Sequence, residues 1–206
     1  MYALVESGTI TKYFSYPKGF TLGDNQYPSD IFTKWSVVEK ENIGIHEVVF
    51  DNSNKKDEKW YINTNQTFAF ANGTITASYG TAIPKAHADT TWSQQDSDDG
   101  DLPSDKSVGD VKVEGLKTNL IKDLKINVAN ELARTDWYIT RKTEKTTAIP
   151  SSISTHRDLV RTTQASIEAQ IIGASDTAAL ETLHTYIEDA QGVQSRPLGT
   201  LPTLEL

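Results

Sequence analysis

Short runs in which apolar and polar residues alternate fill the first part of the chain and predict β-strands. Two of them, at 2–5 and 9–14, lie on either side of Ser7 and Gly8, and this spacing is typical of a tight hairpin. A β-branched run at 43–50, bounded by polar residues, predicts a further strand. The chain is therefore expected to begin with a small sheet.

A second group of alternating runs predicts a three-stranded meander at residues 58–80. Asn72 and Gly73 separate its last two runs, and both residues tolerate the positive φ that a type I′ hairpin turn demands. Together with the first runs, this group predicts a small antiparallel β module over residues 1–87.

Aromatic residues are the main core candidates of this module. The alternation makes Trp60, Phe68 and Phe70 structural core residues of the sheet, and Ile75 is a further core candidate. In a sheet this small such side chains usually fill the core. A second interpretation is a carbohydrate-binding platform, formed by Trp60, Tyr61, Phe68 and Tyr79.

Residues 88–112 are poor in apolar side chains and rich in Asp, Ser and Gly, which predicts an acidic linker. A calcium loop is not indicated, because an EF-hand counted from Asp96 has neither Gly at its sixth position nor Glu at its twelfth. Solvated carboxylates are the expected structure.

Apolar residues at helical spacing predict a three-helix module over residues 113–190. The first helix covers 114–134, and the second begins after Pro150, which breaks the chain at that point. Ser175 or Asp176 caps the third helix. Its apolar face is formed by Leu180, Leu183 and Ile187.

Trp137 follows the first predicted helix and precedes a polar loop at 142–147. An aromatic side chain at the end of a helical hairpin has a large apolar surface to bury. Trp137 is therefore expected to plug the base of the hairpin.

The last segment, 191–206, is predicted to be an extended tail with two prolines and regularly spaced leucines. A polyproline II helix has three residues per turn, so leucines at this spacing line one side. We expect the tail either to dock on a neighbouring protein or to fold back on its own helices. The partner-binding assignment covers Leu198, Leu201, Leu204 and Leu206.

Composition narrows the classes of function. The chain of 206 residues contains no cysteine, which excludes disulfides, thiolate metal sites and cysteine nucleophiles. A formal net charge of -8 argues against nucleic-acid binding through a broad basic face. No apolar run predicts a membrane span, and polar breaks near the N-terminus argue against a signal peptide.

Few residues of the chain are candidates for catalysis or for binding a metal or cofactor. The four histidines lack ligand spacing, and the common nucleophile, zinc-protease and phosphate-loop motifs are missing, so no metal, cofactor or enzyme activity is expected. Arg141, Arg157 and Arg161 could grip an anion, but helical arginines near glutamates more often form surface pairs.

One pattern in the C-terminal half resembles a known family. It reads L-x-x-T-D-W, then R-K-x-E, A-I-P and R-x-x-V-R, and it is similar to the C-terminal segment of tail proteins of tailed bacteriophages, including tail-fibre assembly chaperones. The residues that carry it are Leu132, Thr135, Asp136, Trp137, Arg141, Lys142, Glu144, Ala148, Ile149, Pro150, Arg157, Val160 and Arg161.

A second pattern at the N-terminus resembles the small N-terminal module of many phage tail proteins. It comprises M-Y-A-L-V-x-x-G-x-I-x-K-Y, then Asp24-Asn25 and Tyr27-Pro28-Ser29, and finally a G-I-H-E-V strand at 44–48. The spacing between Asn25 and Pro28 is compressed relative to that family.

The two resemblances imply a non-enzymatic structural protein of a phage tail, baseplate or fibre-attachment apparatus. Such a protein is made in the bacterial cytoplasm and incorporated into the virion, with other tail proteins and copies of itself as partners. One alternative is a tail-fibre assembly chaperone that is absent from the finished particle. Another is a receptor- or glycan-binding module.

Overall fold

The computed structural model describes residues 1–204 and confirms the α+β fold class. The chain forms two compact units, a sheet unit at Met1–Ile83 and a helical unit from Pro84 onward. The division therefore falls a few residues before the predicted module end at residue 87.

The sheet unit opens with the predicted hairpin, which is confirmed. Strands β1 and β2 pair antiparallel through a turn in which Ser7 and Gly8 both have positive φ. A smaller hairpin and two short helices follow, and Ser36 and Glu39 close the start of the second helix with a capping box. The elements are β1 (Tyr2–Glu6), β2 (Thr9–Phe14), β3 (Phe20–Leu22), β4 (Asn25–Tyr27), α1 (Ile31–Lys34) and α2 (Val37–Asn42).

The second half of the sheet unit differs from the predicted antiparallel meander. The elements are β5 (Ile45–Asp51), β6 (Tyr61–Ile62), β7 (Gln66–Ala71), β8 (Thr74–Tyr79) and β9 (Ile83–Pro84). The main sheet has the order β2-β1-β5-β8-β7, and its β5–β8 pair is parallel. The two residues of β6 pair with β9 outside this sheet.

The hairpin between β7 and β8, with its Asn72-Gly73 turn, is confirmed. Alternation and turn residues specify such a hairpin but leave open which of its strands pairs with a third. Here β8 takes the interior position because Ile75 and Ala77 are fully buried. On its other side β8 pairs with β5, in parallel.

Both faces of the main sheet are covered by apolar side chains. Successive residues of a strand point to opposite faces, so the neighbours Ala3 and Leu4 belong to different clusters. The sheet also curls, because the rings of Tyr13 on β2 and Phe68 on β7 lie 4.9 Å apart although these strands are first and last in the order. The first cluster contains Leu4, Phe14, Phe20, Ile31, Phe32 and Ile45, and the second Ala3, Val48, Ile75 and Ala77.

A glycine is required where α2 turns into β5. Gly44 has a φ of +80°, and a Cβ there would lie 2.4 Å from the carbonyl oxygen of Val5. That close approach lets the Val5 N–H donate to the Gly44 carbonyl at 2.8 Å. The backbone contact therefore fixes the start of β5 against β1.

Residues 88–113 form a folded ribbon in place of the predicted linker, and we call this segment the acidic ribbon. It contains β10 (Thr90–Thr91), α3 (Gln94–Asp98) and β11 (Val111–Val113), and β10 pairs with β11. Asp96 closes the ribbon because its carboxylate caps α3 and pairs with Lys112. The Lys112 ammonium and the Ser93 donors hold the pKa of Asp96 well below its ordinary value. Sequence composition does not predict this ribbon, because polar and charged contacts close it and apolar burial does not.

The predicted helices are confirmed, and an additional helix, α5, replaces most of the polar loop after Thr135. Asp176 caps the last helix by accepting the Ala179 N–H at 2.8 Å. That helix ends earlier than predicted, and Ile187 lies exposed in a following hairpin. The elements are α4 (Leu116–Ala133), α5 (Asp136–Lys145), α6 (Ser151–Gly173), α7 (Thr177–His184), β12 (Ile187–Glu188) and β13 (Gln194–Ser195).

The core of the helical unit lies mainly between α4 and α6. Both helices turn an apolar stripe toward this core, as their spacing predicts. The buried residues of the two stripes are Leu124, Val128, Ile153, Val160, Ile167 and Ile171.

Candidate interaction surfaces

A buried arginine fixes the segment that carries the C-terminal sequence pattern. Arg157 reaches from α6 to the end of α4, where its Nη1 donates to the Leu132 carbonyl at 2.8 Å and to the Thr135 hydroxyl at 2.6 Å. The same nitrogen pairs with the Asp136 carboxylate at 2.9 Å. A cation at the C-terminal end of a helix also complements the helix dipole. Arg157 therefore caps α4 and positions α5.

Thr135 is the side chain that fills the base of the helical hairpin. It is completely buried, and its hydroxyl donates to the Leu132 carbonyl at 3.0 Å while accepting from Arg157. The sequence had assigned this position to Trp137, and that prediction is wrong. The indole is 50% exposed, because Thr135 and Arg157 already occupy the interior.

Pro150 is the N-cap of α6, which begins at Ser151, directly after the proline as the sequence predicts. Its φ of -55° suits a helix start, and its carbonyl accepts the N–H groups of Ile153 and Ser154 at 3.0 and 3.2 Å. The chain therefore leaves α5, turns through Thr146 with a positive φ, and re-enters the helical core at Ile153.

The helix α5 presents an uncovered aromatic and cationic surface. None of its residues is buried. The rings of Trp137 and Tyr138 lie 3.8 Å apart by their centroids, and the Arg141 guanidinium lies 5.2 Å from the Trp137 ring. Lys145 lies one helical turn after Arg141, so the two side chains lie on the same face of the helix. We call Trp137, Tyr138, Arg141, Lys142 and Lys145 the α5 patch.

The cations of the α5 patch are not neutralised from within residues 1–204. In this range Arg141, Lys142 and Lys145 form no ion pair. The three arginines that could have gripped an anion do not assemble either, because Arg157 is buried at the end of α4 and Arg161 pairs with Asp158 at 3.4 Å. An anion grip by all three arginines is therefore excluded, and Arg141 remains with its lysine neighbours.

The tail folds back on its own helices, which is the second of the two predicted arrangements. Leu198 is buried, and its N–H donates to the Leu183 carbonyl of α7 at 3.0 Å. Leu201 and Leu204 are half-buried. Leu198 is therefore covered by this chain itself, which corrects its assignment to a partner, whereas Leu201 and Leu204 are covered only in part and their assignment stays a prediction. Leu206, the fourth, lies outside the described residues.

Glu131 on α4 holds the far end of the tail. Its Oε1 accepts the Leu204 N–H at 2.9 Å and lies 3.0 Å from Nε2 of His156, while Arg134 donates to both carboxylate oxygens. Burial acts to raise the pKa of Glu131, but the Leu204 N–H, Arg134 and His156 together outweigh it, so the pKa lies below its ordinary value. The ionised carboxylate is the form that binds the tail.

The aromatic residues of the sheet unit do not form the carbohydrate platform that was the alternative to core packing. Trp60 and Tyr61 are buried, so neither ring can stack on a ligand. Phe68 and Phe70 are half-buried and instead line an open groove of about 290 Å³ together with Tyr13, which is 45% exposed. We call this cavity the aromatic groove, and its lining residues are Gly8, Thr9, Ile10, Tyr13, Phe68 and Phe70.

The sequence contains a signal for the Arg157 junction that the analysis of patterns passed over. Arg157 lies four residues after Ile153 and three before Val160, which are inward positions of α6. An arginine in an apolar stripe needs buried acceptors, and the end of a neighbouring helix offers them. Tyr13 had no comparable signal, because its approach to Phe68 depends on the curl of the sheet.

Within residues 1–204, no group of three or more His, Cys, Asp and Glu side chains is arranged to hold a metal ion. No helix in this range has the length and apolar content needed to cross a membrane. No known protein family, curated protein or solved structure matches the chain.

Proposed function

We propose that this chain is a structural protein of a bacteriophage, where it serves in the tail, baseplate or fibre-attachment apparatus through protein–protein contacts and catalyses no reaction. In this proposal it is incorporated into the virion in several copies, since tail components are commonly arranged with rotational symmetry. The sequence resemblances supply the phage context, and the α5 patch supports the mode of action.

The observation that carries the proposal is that α5 buries no residue. A helix of ten residues is only marginally stable in water by itself, and helices in proteins are usually stabilised by burying an apolar face. Here Trp137 and Ile139 are 50% and 40% exposed. A partner that covers the exposed apolar side chains of α5 supplies the burial that the chain itself does not.

The residue types of the α5 patch also suit a contact surface. Trp, Tyr and Arg are the residues most enriched among those that dominate binding energy at interfaces. Trp137 and Arg141 lie in the L-x-x-T-D-W…R-K-x-E pattern that resembles phage tail proteins, and Thr135 and Arg157 of the same pattern hold α5 in place. Thr135 and Arg157 thus position α5, whereas Trp137 and Arg141 are exposed on its surface.

Quantitative mass spectrometry of purified phage particles tests the proposal. A structural protein is present in stoichiometric amounts relative to known tail components. Absence from particles, combined with presence in lysates of infected cells, would reject the structural role and favour the assembly-chaperone alternative.

A second candidate function, receptor or glycan binding, is favoured by the aromatic groove. Open clefts lined by aromatic rings suit the apolar faces of sugars, and Tyr13 adds a hydroxyl that can form hydrogen bonds. A glycan array on the full chain tests this function. Binding that Tyr13→Ala abolishes without unfolding would support it, and an array without any bound glycan would reject it.

A further inference from the structure

We propose that the α5 patch of one copy docks on the acidic ribbon of a second copy of the same chain. This inference rests on the proposed function and specifies one of its contacts. It follows from three observations, namely the free cations of α5, the free carboxylates of the ribbon, and exposed apolar side chains beside both.

The α5 side of the contact combines a fixed aromatic anchor with positive charge. The Trp137 ring contacts both Tyr138 and Arg141, and these contacts reduce the rotamer entropy that remains to be lost when a partner covers it. Lys142 and Lys145 extend the positive surface along the last turn of the helix. Such a surface fits a partner that is acidic and partly apolar.

The acidic ribbon has the matching properties. It contains seven aspartates and two lysines, and both lysines are already paired within the ribbon, Lys112 with Asp96 and Lys106 with Asp105. Asp98 and Asp99 accept hydrogen bonds from the neutral amides of Gln94 and Gln95, which leave their charges uncompensated. Large apolar side chains stand exposed in the same ribbon, at 46–60% of their surface. They are Val108, Val111 and Val113.

A second copy is favoured over other acidic partners because both halves of the contact are present on one polypeptide. The chain carries a net charge of -8, so copies repel each other overall and approach best where opposite patches face each other. Nucleic acid fits less well, since its phosphates would meet the excess negative charge of the rest of the surface.

The geometry of such a contact determines the kind of assembly. A reciprocal contact closes a twofold dimer, whereas a one-way, heterologous contact leaves one free α5 patch and one free ribbon on every dimer. Further copies can then add until a ring closes or a filament grows. A ring with rotational symmetry is the form that suits a position in a phage tail.

Sedimentation velocity on the full chain tests the inference. We expect oligomers at low salt that dissociate as the ionic strength rises toward about 1 M, because charge pairs near a surface are screened. Arg141→Glu combined with Lys142→Glu should give monomers, and so should Asp98→Lys combined with Asp99→Lys. Lys18→Glu combined with Lys55→Glu, which changes the net charge equally on the sheet unit, should leave the oligomers intact.

Mixing the two monomeric variants gives the decisive test. One has reversed charges on α5 and an unchanged ribbon, and the other has an unchanged α5 and reversed charges at positions 98 and 99 of the ribbon, so together they should form alternating mixed oligomers. Circular dichroism first establishes that each variant keeps the wild-type unfolding midpoint. Recovery of oligomers in the mixture, with neither variant associating alone, is the expected result.

Several outcomes would overturn the inference. Wild-type chain that stays monomeric at every salt concentration, or oligomers that neither charge reversal affects, would reject the contact. Binding of a single-stranded oligonucleotide or of anionic lipid vesicles that Arg141→Glu abolishes, without self-association, would assign the patch to another ligand. A monomeric chain that is nevertheless stoichiometric in phage particles would reject this contact and leave the proposed function standing.

Discussion

Two arginines of the helical unit have opposite surroundings although one sequence pattern contains both. Arg157 is buried and donates to a helix carbonyl, a hydroxyl and a carboxylate. Arg141 lies on a helix without buried residues and contacts only the face of Trp137 among the described residues. The first arginine maintains the fold, whereas the second is available to a partner.

The difference teaches where a function by contact is to be sought. At the Arg157 junction no buried side-chain nitrogen or oxygen lacks a hydrogen-bond partner in the chain, so the buried groups are already used by the fold. On α5 the aromatic surface and the positive charge are both left over after folding. Substituting a residue of the Arg157 junction should therefore lower the free energy of unfolding, and substituting a residue of the α5 patch should weaken association.

The largest expected effect on stability distinguishes Arg157 from Arg141. Arg157→Met should lower the free energy of unfolding by about 2–4 kcal/mol, because it leaves the Leu132 carbonyl and Thr135 hydroxyl without their buried donor. The matched variant Arg141→Met should change it by less than about 0.5 kcal/mol. Urea unfolding followed by circular dichroism measures both, and equal losses would contradict the contrast.

A smaller loss is expected when only the hydroxyl of the junction is removed. Thr135→Val keeps the shape of the side chain but deletes the acceptor of Arg157 and the donor to Leu132. The cost should be about 1–3 kcal/mol, the usual penalty for a buried polar partner that is lost. Thr140→Val on exposed α5 is the control, and a stability loss there as large as at Thr135 would count against the assignment.

The tail should respond to Glu131 and to pH without global unfolding. Glu131→Gln removes the charge that binds the Leu204 N–H, so hydrogen exchange at this amide should become faster while the core amides of α4 stay protected. The pKa of Glu131 is lowered in the folded chain, so its stabilising contribution is complete above about pH 4.3 and is lost as the pH falls further through the folded pKa.

Glu168→Gln is the control for this variant, because Glu168 forms a surface pair with Lys125 away from the tail. It should leave the exchange of the Leu204 amide unchanged. Acidification that leaves this exchange unchanged in the wild type would contradict the role of the Glu131 carboxylate.

The smallest effect on stability is expected at the most prominent exposed side chain. Trp137→Ala should shift the free energy of unfolding by less than about 0.5 kcal/mol, because the indole is half exposed and packs on residues of its own helix. Thermal and urea unfolding of the variant measure this. A loss of several kcal/mol would restore the original expectation that Trp137 plugs the helical hairpin.

Much of the fold could be predicted from periodicity. The helices α4, α6 and α7 follow from apolar spacing, and the two hairpins of the main sheet follow from their turn residues. The parallel β5–β8 pair could not be predicted, because it depends on which strand is buried between two others. The acidic ribbon was missed since polar and charged contacts close it.

The candidate surface was harder to predict than the fold. The spacing marks Trp137 as an apolar residue near a helix end, and such a residue is usually buried. That Thr135 and Arg157 take the interior position depends on contacts between helices separated in sequence. The exposure of α5 is therefore a property of the folded chain that periodicity does not encode.

Hydroxyl-radical footprinting of Trp137 tests the central claim most directly. The indole should oxidise readily in the free, dilute chain and should be protected several-fold in purified phage tails, while Trp60, which is buried in the free chain, oxidises slowly in both. Equal oxidation of Trp137 in the two states, or protection already in the dilute monomer, would contradict the claim that α5 is the surface through which this protein binds its partners.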